Sequence, residues 1–177
     1  MPITGLSFLL FALAAVMPYY LFPKRLRQYV LLAASILFYL TYGVRMAGYL
    51  AATILLTYLF GLWLDRLAAF RPAAETKEER KRQKRANDRK KRRVLALSLV
   101  LNFASLALLK YGGFLASSVN AVLGAELTLP HFLLPLGISF YIFQTSAYLI
   151  DISRGKHRAE RGFLRYALFV CYFPQLV

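Results

Sequence analysis

The sequence contains very few of the residues from which disulfide-bonded, metal-binding or acidic proteins are built. Cys171 is the single cysteine, so no disulfide can form within the chain. There is no Cys-x-x-Cys motif and no cluster of histidine and cysteine, and therefore no metal site is predicted. Asp and Glu number 8, against 23 Lys and Arg. Because Cys171 lies in an apolar run, we expect it to be a small buried hydrophobe.

Charge is also absent from long stretches of the chain. Apolar residues make up 59% of the sequence, against roughly 45–50% in an average globular protein, which excludes an ordinary soluble domain. The first run has no basic segment before it, which favours a retained span over a cleaved signal peptide. Runs of about 20 apolar residues are long enough to cross a bilayer. Five apolar runs are predicted spans, of which the second is short: residues 3–22, 29–42, 46–64, 94–111 and 133–150.

A sixth apolar run starts near Phe163 and is unfinished at Val177. The predicted fold class is therefore all-α, a multi-pass transmembrane helical bundle with about five complete spans and a truncated sixth. Because a span seldom stops halfway, we expect the chain to be a fragment of a longer protein.

The positive charges indicate how these spans are oriented. Of the 23 Lys and Arg, 21 fall in the loops at 24–27, 66–93 and 154–165. The two others are Arg45 and Lys110. Since Lys and Arg concentrate in cytoplasmic loops, we predict that these three loops are cytoplasmic and that the N-terminus is outside.

The basic segment divides the chain into three predicted parts: three helices in 1–64, a cytoplasmic linker in 65–93, and the later spans in 94–177. Residues 71–93 hold 12 Lys and Arg and 4 acids, without an aromatic residue. A nucleic-acid site needs aromatic or polar groups beside its basic face, so no nucleic-acid partner is predicted. Past Pro72 the linker has helix formers but no apolar stripe, which leaves a solvated helix and a disordered segment both open. Its position beside two spans suits contact with anionic membrane lipid.

Two further patterns predict close contact between helices. Tyr49, Thr53, Thr57 and Gly61 recur every four residues in the third run, and the small members should let a neighbouring helix approach closely. A second row lies on one face of the fourth run and is read in the same way: Ser98, Asn102 and Ser105.

The fifth run carries a polar stripe. Successive residues of a helix turn by about 100°, which places Phe140, Gln144, Tyr148 and Asp151 on one narrow face, with Gly137 one turn earlier. Gln and Asp are costly against lipid, so this face should look into the protein or into a cavity. Three basic residues are close enough in sequence to pair with Asp151: Arg154, Lys156 and Arg158. Helix packing with an interfacial salt bridge is the alternative, and both interpretations stay open.

Two blocks resemble a known family. Leu134-Pro-Leu-Gly-Ile-Ser-Phe-Tyr-x-Phe-Gln144, followed by Tyr148-Leu-Ile-Asp151, resembles the signature of bacterial membrane-bound O-acyltransferases. The block from Phe163 to Val177, which contains Phe-Pro-Gln-Leu-Val, is also similar, and the likeness is greatest to the N-terminal portion of the alginate O-acetyltransferase subgroup. The resemblance makes the following residues candidates for a tunnel wall or a motif role: Pro135, Gly137, Ser139, Phe140, Tyr141, Gln144, Tyr148, Asp151, Pro174 and Gln175.

The resemblance implies an enzyme of the bacterial inner membrane whose tilted helices surround a narrow tunnel. Acetyl-CoA is the implied cytoplasmic donor, with no permanently bound cofactor. The implied acceptor is a hydroxyl of an extracytoplasmic polysaccharide, reached through periplasmic or membrane partner proteins. The catalytic histidine of the family stands in a later span, so we expect it beyond Val177 and name no catalytic residue here. His131 is interpreted as interfacial and His157 as a solvated loop residue.

Two alternatives stay open. The branch of the family that transfers D-alanine to teichoic acid shares the Gly-x-Ser-Phe-x-x-Phe-Gln core but differs at the final Pro-Gln-Leu-Val. A non-catalytic membrane scaffold or remnant is the other. The absence of the family's histidine predicts that residues 1–177 alone are inactive.

Overall fold

The computed structural model describes residues 6–23, 26–72, 76–123 and 137–172. Within these ranges helices are the only regular secondary structure, which confirms the predicted all-α class. The helices are α1 (Leu6–Leu21), α2 (Arg27–Tyr42), α3 (Val44–Ala68), α4 (Lys77–Leu123), α5 (Ile138–Ser153) and α6 (Phe163–Cys171). Four residues discussed above lie outside the described ranges: His131, Pro135, Pro174 and Gln175.

Helix α3 is the central element of the bundle. It packs against α2, α4, α5 and α6, while α1 packs on α2. Its buried residues recur every three or four positions, as expected for a helix with one face in a core. They are Leu50, Ile54, Thr57, Gly61 and Leu64.

Two of the helices are long and apolar enough to cross a membrane. One is α3, with 25 residues, and the other is the part of α4 within Lys77–Phe114. Helices α2 and α5 each have 16 residues, which corresponds to about 24 Å at 1.5 Å per residue, shorter than a hydrocarbon core of about 30 Å. The predicted number of five complete spans is therefore not confirmed by helix length.

The basic segment is helical from Lys77 onwards and continues without a break into the fourth apolar run. Of the two alternatives left open by the sequence, the helix is therefore confirmed for residues 77–93. Lys, Arg, Glu and Gln are strong helix formers, and neither Pro nor Gly occurs between Lys77 and Gly112. The preceding helix ends at Ala68, before Pro72.

The two later basic segments meet at one end of the bundle. Asn87 Nδ2 on α4 donates to the carbonyl oxygen of Leu67 at the end of α3, 2.7 Å away. Asp65 Oδ1 accepts the N–H of Ala159, 3.3 Å away. The loops at 66–93 and 154–165 thus lie on the same side of the bundle, which is the arrangement that the charge pattern predicts.

Candidate functional site

The signature helix α5 begins at a glycine with an unusual backbone. Gly137 has a φ of 70°, in the left-handed region that other residues rarely adopt. The N–H of Tyr141 donates to the carbonyl oxygen of Gly137 at 3.0 Å, which closes the first turn of the helix. The glycine of the signature is therefore required by local geometry at this position.

The most buried face of α5 lies beside the polar stripe and not on it. Tyr141, Ile142, Leu149 and Ile152 are fully buried in the core. Phe140, a member of the stripe, is 43% exposed, and Ser139 is half-buried. The stripe thus forms the edge of the packed face. Its members from Gln144 onward turn toward α6 and the loop before it.

Gln144 joins α5 to α6. Its Nε2 donates to the carbonyl oxygen of Phe169, 3.0 Å away. Its Oε1 is buried and has no hydrogen-bond partner among the described residues. Buried amide oxygens are usually satisfied, so this one is an acceptor available to a hydroxyl or an N–H group.

Tyr148 sits where three elements meet. Its hydroxyl oxygen accepts the N–H of Glu160 at 2.9 Å, and its ring lies 5.0 Å from that of Tyr166 and 6.0 Å from that of Phe169. On its other side, a Cβ added to Gly61 would come within 3.2 Å of Tyr148 Cε1. The close approach predicted from the row of small residues in α3 is therefore confirmed at Gly61.

A buried hydrogen bond fixes α6 on α3. The Tyr166 hydroxyl donates to Thr57 Oγ1 at 2.8 Å, and Thr57 in turn donates to the carbonyl oxygen of Thr53 at 2.7 Å. Tyr58, the next residue along α3, donates from its hydroxyl to the carbonyl oxygen of Arg161 at 2.6 Å. These bonds hold both α6 and the loop before it against the middle of α3.

A cleft of about 680 Å³ opens between the end of α5, the loop and α6. Its aromatic wall consists of Tyr148, Tyr166 and Phe169. Its charged rim is formed by Arg158, Glu160, Arg161 and Arg165, with Ala159 between them.

The rim is dominated by guanidinium groups. The three arginines are exposed, while Glu160 directs Oε1 to the N–H of Gly162, 2.9 Å away. A guanidinium presents donors in a planar fork that matches phosphate and carboxylate oxygens. The cleft is therefore suited chemically to an anionic ligand that also offers an apolar or aromatic portion.

The remaining candidates lie away from the cleft. Asp151 Oδ1 pairs with Lys156 Nζ at 3.2 Å, which confirms that a basic residue of the loop pairs with it. His157 is exposed in the same loop, and Cys171 is 1% exposed, as expected for a small buried hydrophobe. Of the stripe, Tyr148 lines the cleft and Phe140, Gln144 and Asp151 do not. The suggested role of the whole stripe as a tunnel wall therefore stays a prediction.

Sequence reasoning missed the residues that hold the cleft together. Tyr58, Asp65 and Tyr166 each bond to a partner 94 or more residues away in the chain. A tyrosine in an apolar run gives no sequence signal that separates ring packing from hydroxyl bonding. The clustering of arginines in 158–165 is visible in the sequence, but there it indicates topology and a possible partner for Asp151, and not a ligand site.

The described part of the chain contains no group of three His, Cys, Asp or Glu placed to hold a metal ion.

The chain is similar in sequence to proteins that are named as O-acetylases or O-acetyltransferases. The chain is 34% identical over 163 residues to the probable alginate O-acetylase AlgI of Azotobacter vinelandii, which covers 90% of this chain and 29% of that protein. It is 36% identical to the protein of the same name from Pseudomonas putida, with 90% and 30% covered. The Helicobacter pylori peptidoglycan O-acetyltransferase is 29% identical, with 89% and 30% covered.

No family model matches the chain, and no solved structure matches it. The chain spans about 30% of the length of the curated relatives it matches. The matched segment extends over nine-tenths of the chain. The predicted resemblance is thus confirmed: over nine-tenths of its length this chain is similar to proteins named alginate O-acetylase, of the membrane-bound O-acyltransferase family, and two of its described helices are long and apolar enough to cross a membrane.

Proposed function

We propose that the protein to which this chain belongs transfers acetyl groups from a cytoplasmic donor to hydroxyl groups of an extracytoplasmic polysaccharide. The observation that carries the proposal is the cleft at the end of the signature helix, where Tyr148 meets three arginines. Acetyl-CoA is the proposed donor, because its several phosphate groups fit the guanidinium rim while its adenine ring can stack on the aromatic wall.

The direction of transfer rests on topology. We place the end of the bundle that holds the two basic loops in the cytoplasm, and the N-terminus outside. Helices α1 to α5 then all cross the inner membrane, with the shorter ones accommodated by local thinning or by flanking residues. The donor would enter at the rim, and the acetyl group would leave at the other end, toward partner proteins or the acceptor itself.

Chemistry at the acceptor needs a base. An alcohol is a poor nucleophile, and a positioned imidazole of near-neutral pKa can remove its proton. His157 is exposed in the loop and lies outside the cleft lining. The family's histidine is therefore expected in a later span, and residues 1–177 alone should transfer no acetyl group above background.

Alginate-like polysaccharide is the favoured acceptor, because relatives named alginate O-acetylase are 31–36% identical to the chain. Peptidoglycan is the second candidate acceptor, since a relative named for it is 29% identical over a similar share of the chain. Both are glycans with secondary or primary hydroxyls, so the same transfer chemistry serves either one.

A hybrid enzyme tests the proposal. This chain would replace the 163 matched residues of the Azotobacter vinelandii protein, and membranes would be assayed for transfer of labelled acetyl from acetyl-CoA to alginate. We expect transfer by the hybrid. A variant with Arg158→Gln, Arg161→Gln and Arg165→Gln should raise the KM for acetyl-CoA by at least about tenfold, since bonds to charged groups contribute about 1.5–3 kcal/mol each.

The matched control removes three arginines of the two basic loops that do not line the cleft: Arg66, Arg71 and Arg154. It should leave KM unchanged, because these residues are absent from the cleft lining. A hybrid that reaches the membrane in normal amount but transfers nothing would count against the proposal. So would a cleft variant that keeps the original KM.

A further inference from the structure

The basic part of α4 has a distinct structure where it joins the apolar part. Five consecutive basic residues, Arg89, Lys90, Lys91, Arg92 and Arg93, directly precede the buried Val94; we refer to them as the collar. They belong to the same uninterrupted helix as the span that follows. The collar therefore has a fixed position relative to the membrane-crossing part of α4.

The collar points its charges in every direction around the helix. Successive side chains are about 100° apart, so five consecutive residues go once around the whole circumference. Lys91 is partly covered and pairs with Asp88 at 3.6 Å, but the four other residues are exposed. The end of α3 lies against one side, through the bond between Asn87 and Leu67 and the apolar cluster that includes Leu64 and Val94.

A ring of charge of this kind fits a partner that surrounds the helix. A protein or a nucleic acid would reach one face of α4, whereas a layer of lipid headgroups reaches all the faces that α3 leaves open. The thickness also agrees, because five helical residues rise about 7 Å, close to the 5–7 Å of one headgroup layer. Anionic phospholipid is the partner whose charge complements the collar.

Most of the remaining cations of α4 lie too far from the collar to share this role. Residues 76–86 are all exposed, and their basic members centre about 14 Å from the centre of the collar along the helix axis. At physiological salt, attraction to a charged surface decays over about 8 Å. A rigid α4 thus separates cations that reach the headgroups from cations that stand in the aqueous phase.

We propose that the collar binds the phosphate groups of anionic phospholipids at the cytoplasmic surface, and that the more distant cations of α4 do not. The proposal rests on the proposed crossing of α4, but it does not depend on acetyl transfer or on the nature of the donor. Its failure would leave the acyltransferase proposal standing, and the converse also holds, because the test below uses no acyl donor.

The chain contains its own reporter for the experiment. Trp63 is the single tryptophan and is 51% exposed, and it directly precedes Leu64, which packs in one cluster with Val94. The chain would be reconstituted in equimolar bilayers of phosphatidylglycerol and phosphatidylcholine. In one sample the phosphatidylglycerol carries brominated acyl chains, and in the other the phosphatidylcholine does, so the surface charge is identical while the quencher changes places.

The collar variant carries Gln in place of Arg89, Lys90, Arg92 and Arg93. Its matched control carries Gln in place of Lys81, Arg82, Lys84 and Arg85, and so removes the same charge from the same helix. For the unaltered chain, quenching should report a preference for phosphatidylglycerol of at least about fivefold, the effect of one cation near an anionic surface. The collar variant should lose this preference, and the control should keep it.

Salt provides a test without mutation. Raising the salt to 1 M shortens the screening length to about 3 Å and should lower the preference of the unaltered chain toward unity. Equal quenching by both lipids in the unaltered chain would overturn the proposal. A control variant that loses as much preference as the collar variant would overturn it too, because the distant cations would then lie on the membrane surface.

Discussion

The hydroxyl of Tyr166 donates to Thr57 Oγ1 over 2.8 Å, and this bond joins α6 to α3 across 109 residues of sequence. Both side chains are almost completely buried. Tyr166 also forms part of the aromatic wall of the cleft, and Arg165 beside it forms part of the rim. The position of the cleft therefore depends on a contact between two residues that face each other inside the bundle.

Removing this bond should cost a measurable part of the stability. Tyr166→Phe and Thr57→Val each delete one hydroxyl with little change of shape, and each should destabilise the chain by about 1 kcal/mol. In a double-mutant cycle the coupling energy should be about 0.5–1.5 kcal/mol, since the two residues are in direct contact. Unfolding in mixed detergent would measure it. The control is Tyr20→Phe, at a position that is 70% exposed, where loss of the hydroxyl should leave the stability unchanged. If the effects of Tyr166→Phe and Thr57→Val were simply additive, the contact between the two hydroxyls would be contradicted.

Two glycines of α3 should respond oppositely to alanine. In Gly48→Ala the new Cβ meets nothing within 4 Å, so the higher helix propensity should stabilise the chain by up to about 1 kcal/mol. In Gly61→Ala the Cβ comes within 3.2 Å of Tyr148 Cε1, and crowding of a packed site costs typically about 1–3 kcal/mol. Thermal unfolding should therefore rank Gly48→Ala above Gly61→Ala. The reverse order would show that Tyr148 does not pack on α3 as described.

The loop that forms the rim should depend on Asp65 and not on Asp151. Asp65 Oδ1 accepts the N–H of the buried Ala159, and Asp65→Ala should speed amide exchange in 157–162 by about tenfold, since a bond to a charged group contributes about 1.5 kcal/mol or more. Asp151→Ala removes an exposed ion pair with Lys156, and such pairs contribute about 1 kcal/mol or less. Exchange in that variant should be nearly unchanged. Equal effects of the two substitutions would contradict the role given to Asp65.

Labelling of single cysteines should show the predicted orientation of the bundle. With Cys171 replaced by Ala, Arg154→Cys should react with a membrane-impermeant thiol reagent from the cytoplasmic side only. Lys110→Cys, at the opposite end of the fourth apolar run from the basic segment, should react from the other side only. Both positions are exposed, so access depends on the membrane and not on packing. Reaction of both from one side would refute the orientation.

The sequence predicted most of what depends on local pattern. The all-α class, the helical option for the basic segment, the close approach at Gly61 and the pairing of Asp151 all follow from composition, spacing or charge. Each depends on residues only a few positions apart, or on the general cost of placing polar groups in lipid.

The cleft could not be predicted in this way, because long-range packing decides it. The stripe of Phe140, Gln144, Tyr148 and Asp151 was found correctly as one face of a helix, but its position at the edge of the core depends on where α3 and α6 lie. Periodicity gives the direction of a side chain about its own helix axis, not the identity of its neighbour. Tyr58 and Tyr166 were missed for the same reason, since their hydroxyl partners are set by the tertiary fold.

The affinity of the reconstituted chain for acetyl-CoA shows whether the cleft is the donor site, and equilibrium binding of the labelled donor measures it. The unaltered chain is compared with the variant that carries Gln at positions 158, 161 and 165, and with the control that carries Gln at 66, 71 and 154. If the cleft receives the donor, the dissociation constant rises by at least about tenfold in the cleft variant and is unchanged in the control. If the cleft variant binds acetyl-CoA as tightly as the unaltered chain does, the cleft is not the donor site and the function proposed for it is wrong.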